Sequence, residues 1–518
     1  MIHHHNIAPI GELLGRHAKS RGEKLAFEDS FGAKIQYGQL HEQTAKLAVA
    51  LQLNGIDPLD RVAILLPNSV DWVVSCLAIV RADGVSVPIS HDAVEGEVRY
   101  RLEDAACKAV IVSAKQLPLV RRLAKEIPTL QRIIVAGESS EPDCLSLNEM
   151  LRTASAELPR DSQDLQRMAF LVYTSGTTGK AKGVMLSQHS MLWVAAACWL
   201  PIAGLSENDV VLSALPLFHS YALNLCVLSI VAVGATEYIM ERFSTQEVNQ
   251  HLNTGRFTLM PGVPTMFHYL LESVKASGTK KFEGVERFVS AGAILPSALN
   301  RDFEAQLGVP LLDGYGITET STMVTMNWAG ENRVMGSCGL PLAGVAVRLV
   351  DANRQDVPFG EEGELIVRGP NVMLGYLNKP AETAAALRDG WYHTGDLARS
   401  DANGFLTITG RLKELIIRGG QNIAPAEVED AVLSHPDVLD CAAIGMPHPH
   451  LGEVPVACVI PREGKTLDPE AIRAHCAKLI SAYKVPQNVH VVESIPRTGS
   501  GKIMRFQLRA ALEKPAAH

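Results

Sequence analysis

Among its 518 residues the sequence has no C-x-x-C pair, no internal repeat, no low-complexity tract and no uninterrupted apolar run of about eighteen residues. Each absence excludes something. The nine cysteines (Cys76, Cys107, Cys144, Cys198, Cys226, Cys338, Cys441, Cys458 and Cys476) are scattered and odd in number. They make no disulfide framework or zinc ribbon and read as free thiols in a reducing cytoplasm. Without a long apolar run there is no membrane span to expect. The start, MIHHHNIAPIGELL, has no basic segment leading into an apolar core, so no signal peptide is expected either. Positive charge is not in excess: the net charge is −8, which leaves no electrostatic footprint for nucleic acid. The three histidines near the start, read as a disordered end, make a weak metal site at best.

What is present is an ordinary globular balance, 47% hydrophobic and 20% charged, in a chain long enough for two or more domains. Short β-branched runs alternate with helical text: RVAILLP (61–67), KAVIVSA (108–114), QRIIVAG (131–137) and ERFVSAG (286–292), with helices expected over 71–82 and 95–106. The alternation predicts an α/β chain of parallel-type sheets flanked by helices. From Gly363 the text becomes strand-rich and hairpin-like, with a turn at Asp401-Ala402-Asn403-Gly404. A last α+β unit of about a hundred residues follows. The expected division is a large domain over 1–412, including the β-rich subdomain, and a small mobile domain over 413–518.

Four segments concentrate chemistry. The first, LVYTSGTTGKAKGVMLS (171–187), packs glycines, hydroxyls and two lysines between apolar ends. It is not a P-loop: counting from Gly176, the sixth position is Ala181, and Lys180 is followed by alanine rather than a hydroxyl. The same physics still suits a polyphosphate, since glycines let backbone N–H groups converge on an anion. A surface linker has the same composition, and this loop alone does not separate the two. The second, GYGITETS (314–321), fails as a dinucleotide fingerprint because Glu319 holds the third glycine's place, yet it sets a hydroxyl beside a carboxylate, a pair suited to a hard cation. The third, residues 392–429, carries Asp396 after a glycine and Arg411 behind a hairpin. The fourth, RTGSGKIMR (497–505), holds Lys502 behind a glycine.

In this order, and covering nearly the whole chain, the four segments resemble the acyl-adenylate-forming (AMP-binding) superfamily: acyl-CoA synthetases, aryl-CoA ligases, carrier-protein-loading adenylation domains and beetle luciferases. The pattern is nearest to the acyl-CoA synthetases. The resemblance implies a ligase that joins a carboxylate to ATP with release of pyrophosphate and passes the acyl group from AMP to a thiol. It implies that Thr174, Ser175, Gly176, Thr177, Thr178, Gly179 and Lys182 hold the β- and γ-phosphates, with Lys180 at a variable position. Thr318 would meet the α-phosphate, and Glu319, with Thr178, would hold Mg²⁺. Tyr315 would lie against adenine within Asp313-Gly314-Tyr315-Gly316, opposite Ser290, Ala291, Gly292 and Ala293. Asp396 would accept from the ribose hydroxyls, Arg411 would bridge ribose and phosphate, and Lys502 would bind the carboxylate and α-phosphate. The small domain would swing about Lys413, bringing Gly419 and Gly420 to the thiol tunnel.

The acyl pocket is expected along PLFHSYALNLCVLSIVAVGA (216–235), at His219, Ser220, Tyr221 and Asn224. Amino-acid-activating relatives generally carry an aspartate where His219 stands, and residues 221–235, expected as a helix, contain no charge. An apolar monocarboxylate, fatty or aryl, is therefore expected. His219 stands either as a gate between acyl and thiol sites or as packing. The thiol acceptor is CoA or, as the alternative, a carrier-protein phosphopantetheine, and a non-catalytic nucleotide-binding protein is the rival from another class.

Overall fold

Apolar text without alternation builds the first half of the chain into parallel sheet. In the computed structural model, which describes residues 2–137, 143–152, 158–174, 181–330, 333–419, 421–498 and 501–513, strands Val85–Pro88 and Ala109–Val112 are buried along their whole length. That is what strands covered on both faces require. They belong to an eight-stranded sheet whose centre is parallel. One edge ends in the antiparallel hairpin Met168–Thr174 and Lys182–Ser187, followed by the two-residue strand Gly375–Tyr376. The helix Val70–Arg81 is capped by the Ser69 hydroxyl, which accepts from the Trp72 N–H at 3.2 Å, and it is apolar nearly all round because it is buried nearly all round.

A nine-stranded sheet, parallel through Leu259–Gly262, Arg287–Ser290 and Leu311–Tyr315, forms the second layer system. The strand-rich text begins earlier than expected, at Ala346, as an antiparallel five-stranded sheet. Within it Trp391–Ser400 and Leu406–Arg411 pair across the expected turn, where the Gly404 N–H donates to the Asp401 carbonyl at 3.0 Å. After Arg411 the chain changes sheets. Ile416–Arg418, Gln421–Ile423, Val438–His448, Gly452–Pro461 and Asn488–Val491 form a separate five-stranded sheet with its own apolar core and the helices Pro425–Leu433, Pro469–Cys476 and Arg505–Glu513. The fold is thus mixed α/β, with parallel-type sheets, a β-rich subdomain and a C-terminal α+β unit.

Two expectations are corrected. The uncharged text at 221–235 is not one regular helix. It begins as α-helix at Ser220–Ala222, widens to a π-helix over Leu223–Ser229, and ends at Val233 with Gly234 at φ +82°. A second buried π-segment, Ala195–Trp199, packs beside it. The histidines near the start are not in a disordered end. His4–Asn6 form a 3-10 turn, the His3 N–H donates to the Ala196 carbonyl at 3.0 Å, and Asn6 Nδ2 donates to the Ala232 carbonyl at 2.8 Å.

Candidate active site

The strands Arg287–Ser290 and Leu311–Tyr315 run parallel, side by side, and their carboxyl ends open into the loops 290–293 and 315–321. In α/β sheets this is where ligands are met. Backbone crowding explains the second loop's glycine. A Cβ on Gly316 would lie 1.7 Å from the Thr322 carbonyl oxygen, so only glycine fits. Beyond it the 3-10 turn Thr318–Thr320 presents two groups. The Thr318 hydroxyl shares a hydrogen bond with that of Ser220 at 3.1 Å. Glu319 Oε1 accepts from the Tyr376 hydroxyl at 3.0 Å, and burial pushes the Glu319 carboxyl up from its ordinary range. Ser290 is buried at the end of its strand and Asp313 in the middle of the next, and Gly292 and Ala293 line the opening.

Asp396 and Arg411 face each other across the antiparallel register of their strands. Arg411 Nε is 2.6 Å from Asp396 Oδ1, and the Tyr315 hydroxyl donates to Oδ2 at 2.5 Å. Only 2% of the Asp396 side chain is exposed. Burial raises its carboxyl, against the pull of the Arg411 guanidinium, the Tyr315 hydroxyl and Lys502. Lys502 arrives from the C-terminal unit. Gly501 at φ +82°, a left-handed conformation that favours glycine, turns the chain beside Val263. The ammonium then lies 3.6 Å from Glu414 Oε1. Burial lowers its pKa and Arg411 lowers it further, while Glu414 and Asp396 draw it back up.

Residues from distant segments of the chain line one cleft of about 560 Å³ between the large sheets and the C-terminal unit. Gly292, Ala293, Asp313, Gly314, Tyr315, Gly316, Asp396, Arg411 and Lys502 all contribute. An ion pair between Arg462 and Glu272, each side chain about one third exposed (31% and 34%), also joins the two sides of the cleft.

Thr174 and Lys182 are opposite one another at the root of the first-segment hairpin. Ser175, Gly176, Thr177, Thr178, Gly179 and Gly420 lie outside the described residues. Gly419 has φ +57° and donates its N–H to the Leu451 carbonyl at 2.7 Å, away from the cleft. Lys413 is exposed in the tight turn closed by the Glu414 N–H donating to the Arg411 carbonyl at 3.0 Å.

In the apolar segment, His219 Nδ1 accepts from the Tyr221 N–H at 3.3 Å, and burial lowers its imidazole to about 4, so the ring is neutral near pH 7. The Tyr221 hydroxyl donates to the Val289 carbonyl at 3.1 Å, and its ring stacks on Trp199. Asn224 is fully engaged. Its Nδ2 donates to the carbonyls of Met191 at 2.9 Å and Ser321 at 3.3 Å, and its Oδ1 accepts from Trp199 Nε1 at 2.7 Å. It is a brace behind the wall rather than a polar group offered to an acyl chain. Sequence reasoning did not single out Glu414, Arg462 or Tyr376. Glu414 stands in the GRLKE text and was legible as a charge, whereas Tyr376 and Arg462 carry no pattern of their own. Cys338 and Cys441 reach the cleft, but burial pushes the Cys338 thiol up to about 12 and the Cys441 thiol well above its ordinary value, so neither is a thiolate.

Comparison with known proteins places the chain in a family. The family described as AMP-binding enzyme matches residues 14–377, and its AMP-binding enzyme C-terminal domain matches residues 427–502. A feruloyl-CoA synthase of an Amycolatopsis species is 34% identical over 479 residues, 92% of this chain and 94% of its own length. A medium-chain fatty-acid–CoA ligase of Escherichia coli strain K12 is 32% identical over 513 residues, 97% of this chain and 90% of its own. The crystal structure of the anthranilate CoA ligase AuaEII in complex with anthranoyl-AMP superposes with a TM-score of 0.90 at 28% identity, covering 97% of each chain. With the family matched over most of its length and relatives aligned along nearly all of it, the chain belongs to the AMP-binding enzyme family.

Proposed function

We propose that the protein is an ATP-dependent acid–CoA ligase that activates an apolar monocarboxylate, fatty or aryl, as its acyl-adenylate. The acid's carboxylate oxygen bonds to the α-phosphorus of ATP and pyrophosphate leaves. The CoA sulfur then bonds to the acyl carbon and AMP leaves. The observation that carries the reading is the convergence of Tyr315, Asp396–Arg411 and Lys502 on one cleft from three distant segments, with Thr318 and Glu319 in the turn that follows Tyr315. Two anions must meet in the first step, so positioned positive charge is the main catalytic requirement. Lys502 would bind both reacting groups, and Arg411 would bridge ribose and phosphate. Asp396 would accept from the ribose hydroxyls, since its Oδ1, met only by Arg411, keeps acceptor capacity. Thr318 would donate to the α-phosphate and Lys182 would take the outer phosphates.

Among the described residues no three His, Cys, Asp or Glu side chains could together enclose a metal. A single Glu319 carboxylate beside the phosphate path fits Mg²⁺, which takes one or two carboxylates and completes its shell with phosphate oxygens and water. When bound, Mg²⁺ would neutralise charge on those oxygens. We divide the chain at 412/413, where it passes between sheets, and place the hinge at Lys413. Gly419 and Gly420 would serve the second pose, at the thiol. The apolar, braced wall behind His219 supports an uncharged acyl group, and among the relatives are a feruloyl-CoA synthase and a medium-chain fatty-acid–CoA ligase. The free thiols support a reducing, cytoplasmic location, and no described helix is long and apolar enough to cross a membrane. A pyrophosphate-release screen over carboxylic acids tests the reading. Medium-chain or aromatic monocarboxylates should exceed malonate and free amino acids, and free CoA should outperform holo carrier protein as acceptor. Preference for a dicarboxylate, an amino acid or the carrier protein would overturn the corresponding assignment.

A further inference from the structure

The strand Gly375–Tyr376 is short, but it is placed between two parts of the nucleotide site. It pairs antiparallel with Lys182–Ser187, Gly375 opposite Met185 and Tyr376 opposite Val184. The Thr383 hydroxyl accepts from the Tyr376 N–H at 2.9 Å and donates to the Lys379 carbonyl at 2.9 Å, which fixes the backbone there. The Tyr376 side chain is 7% exposed and so confined by its surroundings. Its hydroxyl donates to Glu319 Oε1 at 3.0 Å, and Lys182 Nζ lies 4.7 Å from the centre of its ring. A phenol donating to a carboxylate makes a charge-assisted bond that fixes one oxygen and thereby the direction of the other. The same donation enriches the ring in electron density, which strengthens its attraction for an ammonium over its face.

We propose that Tyr376 is a positioning residue for adenylation: its hydroxyl aims the carboxylate of Glu319 and its ring seats the ammonium of Lys182, so one side chain sets both the metal side and the outer-phosphate side of the nucleotide. The proposal rests on the roles given above to Glu319 and Lys182, and it adds the side chain that ties them together.

Two variants separate the contacts. Tyr376→Phe keeps the ring and removes the hydroxyl, while Tyr376→Leu removes both. In the Phe variant the Mg²⁺ concentration for half-maximal adenylation should rise about 5- to 10-fold, the loss expected for one hydrogen bond to a charged group. ATP affinity without metal, measured by calorimetry, should stay near the parent's. In the Leu variant that metal-free ATP affinity should also fall, by about 2- to 5-fold, as the cation–π contact is lost. AMP has no outer phosphates, so AMP affinity should be unchanged in both. In a Glu319→Gln background, Tyr376→Phe should add no further change in Mg²⁺ requirement. If Glu319→Gln shifts that requirement and Tyr376→Phe does not, the positioning role is overturned and the metal assignment stands. If Glu319→Gln leaves it unchanged, the metal assignment fails and takes this proposal with it. Equal weakening of AMP and ATP in Tyr376→Phe would mark a merely structural residue and overturn the proposal.

Discussion

Asp396 shows how much rests on single side chains, because it is almost wholly buried and holds Tyr315 and Arg411 at once. The ribose hydroxyls occur in ATP and AMP alike, so Asp396→Ala should weaken both equally, by roughly 1.5–3 kcal/mol for a lost charged acceptor. Calorimetric titration with each nucleotide checks this, and unchanged AMP affinity would remove Asp396 from the site. Two other residues make opposite claims on pH. Glu237 is fully buried with the weakly polar Cys226 thiol beside it, and burial raises its pKa well above 4.5. A raised acid binds its proton more tightly in the folded state, so its contribution is full below the unfolded pKa and is lost as pH rises. His219, lowered from 6.5 to about 4, stays neutral in the fold while the unfolded chain takes up a proton, so stability is lost as pH falls from 6.5 toward 4. The melting temperature of Glu237→Gln should therefore gain on the parent's as pH rises from about 5 to 8, and that of His219→Asn should gain as pH falls below about 6. A constant offset at all pH values would contradict either claim.

At the scale of elements, the turn after Arg411 and the π-segments matter most. Lys413→Pro removes torsional freedom where the chain changes sheets. The variant should still make acyl-AMP but transfer it to CoA poorly in single-turnover assays, and retention of both activities would place the hinge elsewhere. Asn224→Ala strands Trp199 Nε1 and the Ser321 carbonyl inside the wall. It should destabilise the fold by about 1–3 kcal/mol, read by denaturant unfolding, with little change in AMP affinity. Part of this was open to sequence reading and part was not. Parallel strands announced themselves as continuous apolar text, and the GYG text stood out because Gly316 has no room for a Cβ. The π-widening at 223–229 was hidden, because uniformly apolar text contains no marker by which a period of 3.6 differs from a longer one. The histidine turn was misread since its order depends on Ala196 and Ala232, far along the chain. Tyr376 and Arg462 were invisible for the same reason: a lone tyrosine or arginine acquires its role only from what folding places opposite it.

For the molecule as a whole, the arrangement found is one in which Lys502 reaches the cleft beside Asp396 and Arg411 while Gly419 is turned away from it. If thioester formation uses the other arrangement, Lys502→Ala should lower adenylation by several orders of magnitude. Preformed acyl-AMP and CoA should still give thioester at nearly the parent rate. Equal loss of both activities would count against one unit serving two arrangements.

The one-third-exposed pairing of Arg462 with Glu272 makes the balance between those arrangements a matter of the solvent as well as of the ligands. Dissolved electrolyte screens such a pair, whose worth is about 0.2–1 kcal/mol, so a rise from low to physiological salt relaxes the C-terminal unit's hold on the body. Adenylation should then slow by up to about fivefold relative to thioester formation. In Glu272→Gln that ratio should start low and barely respond to added salt. Electrolyte would thus act as a selector of which half of the cycle limits the whole, a kind of control that needs no effector site at all.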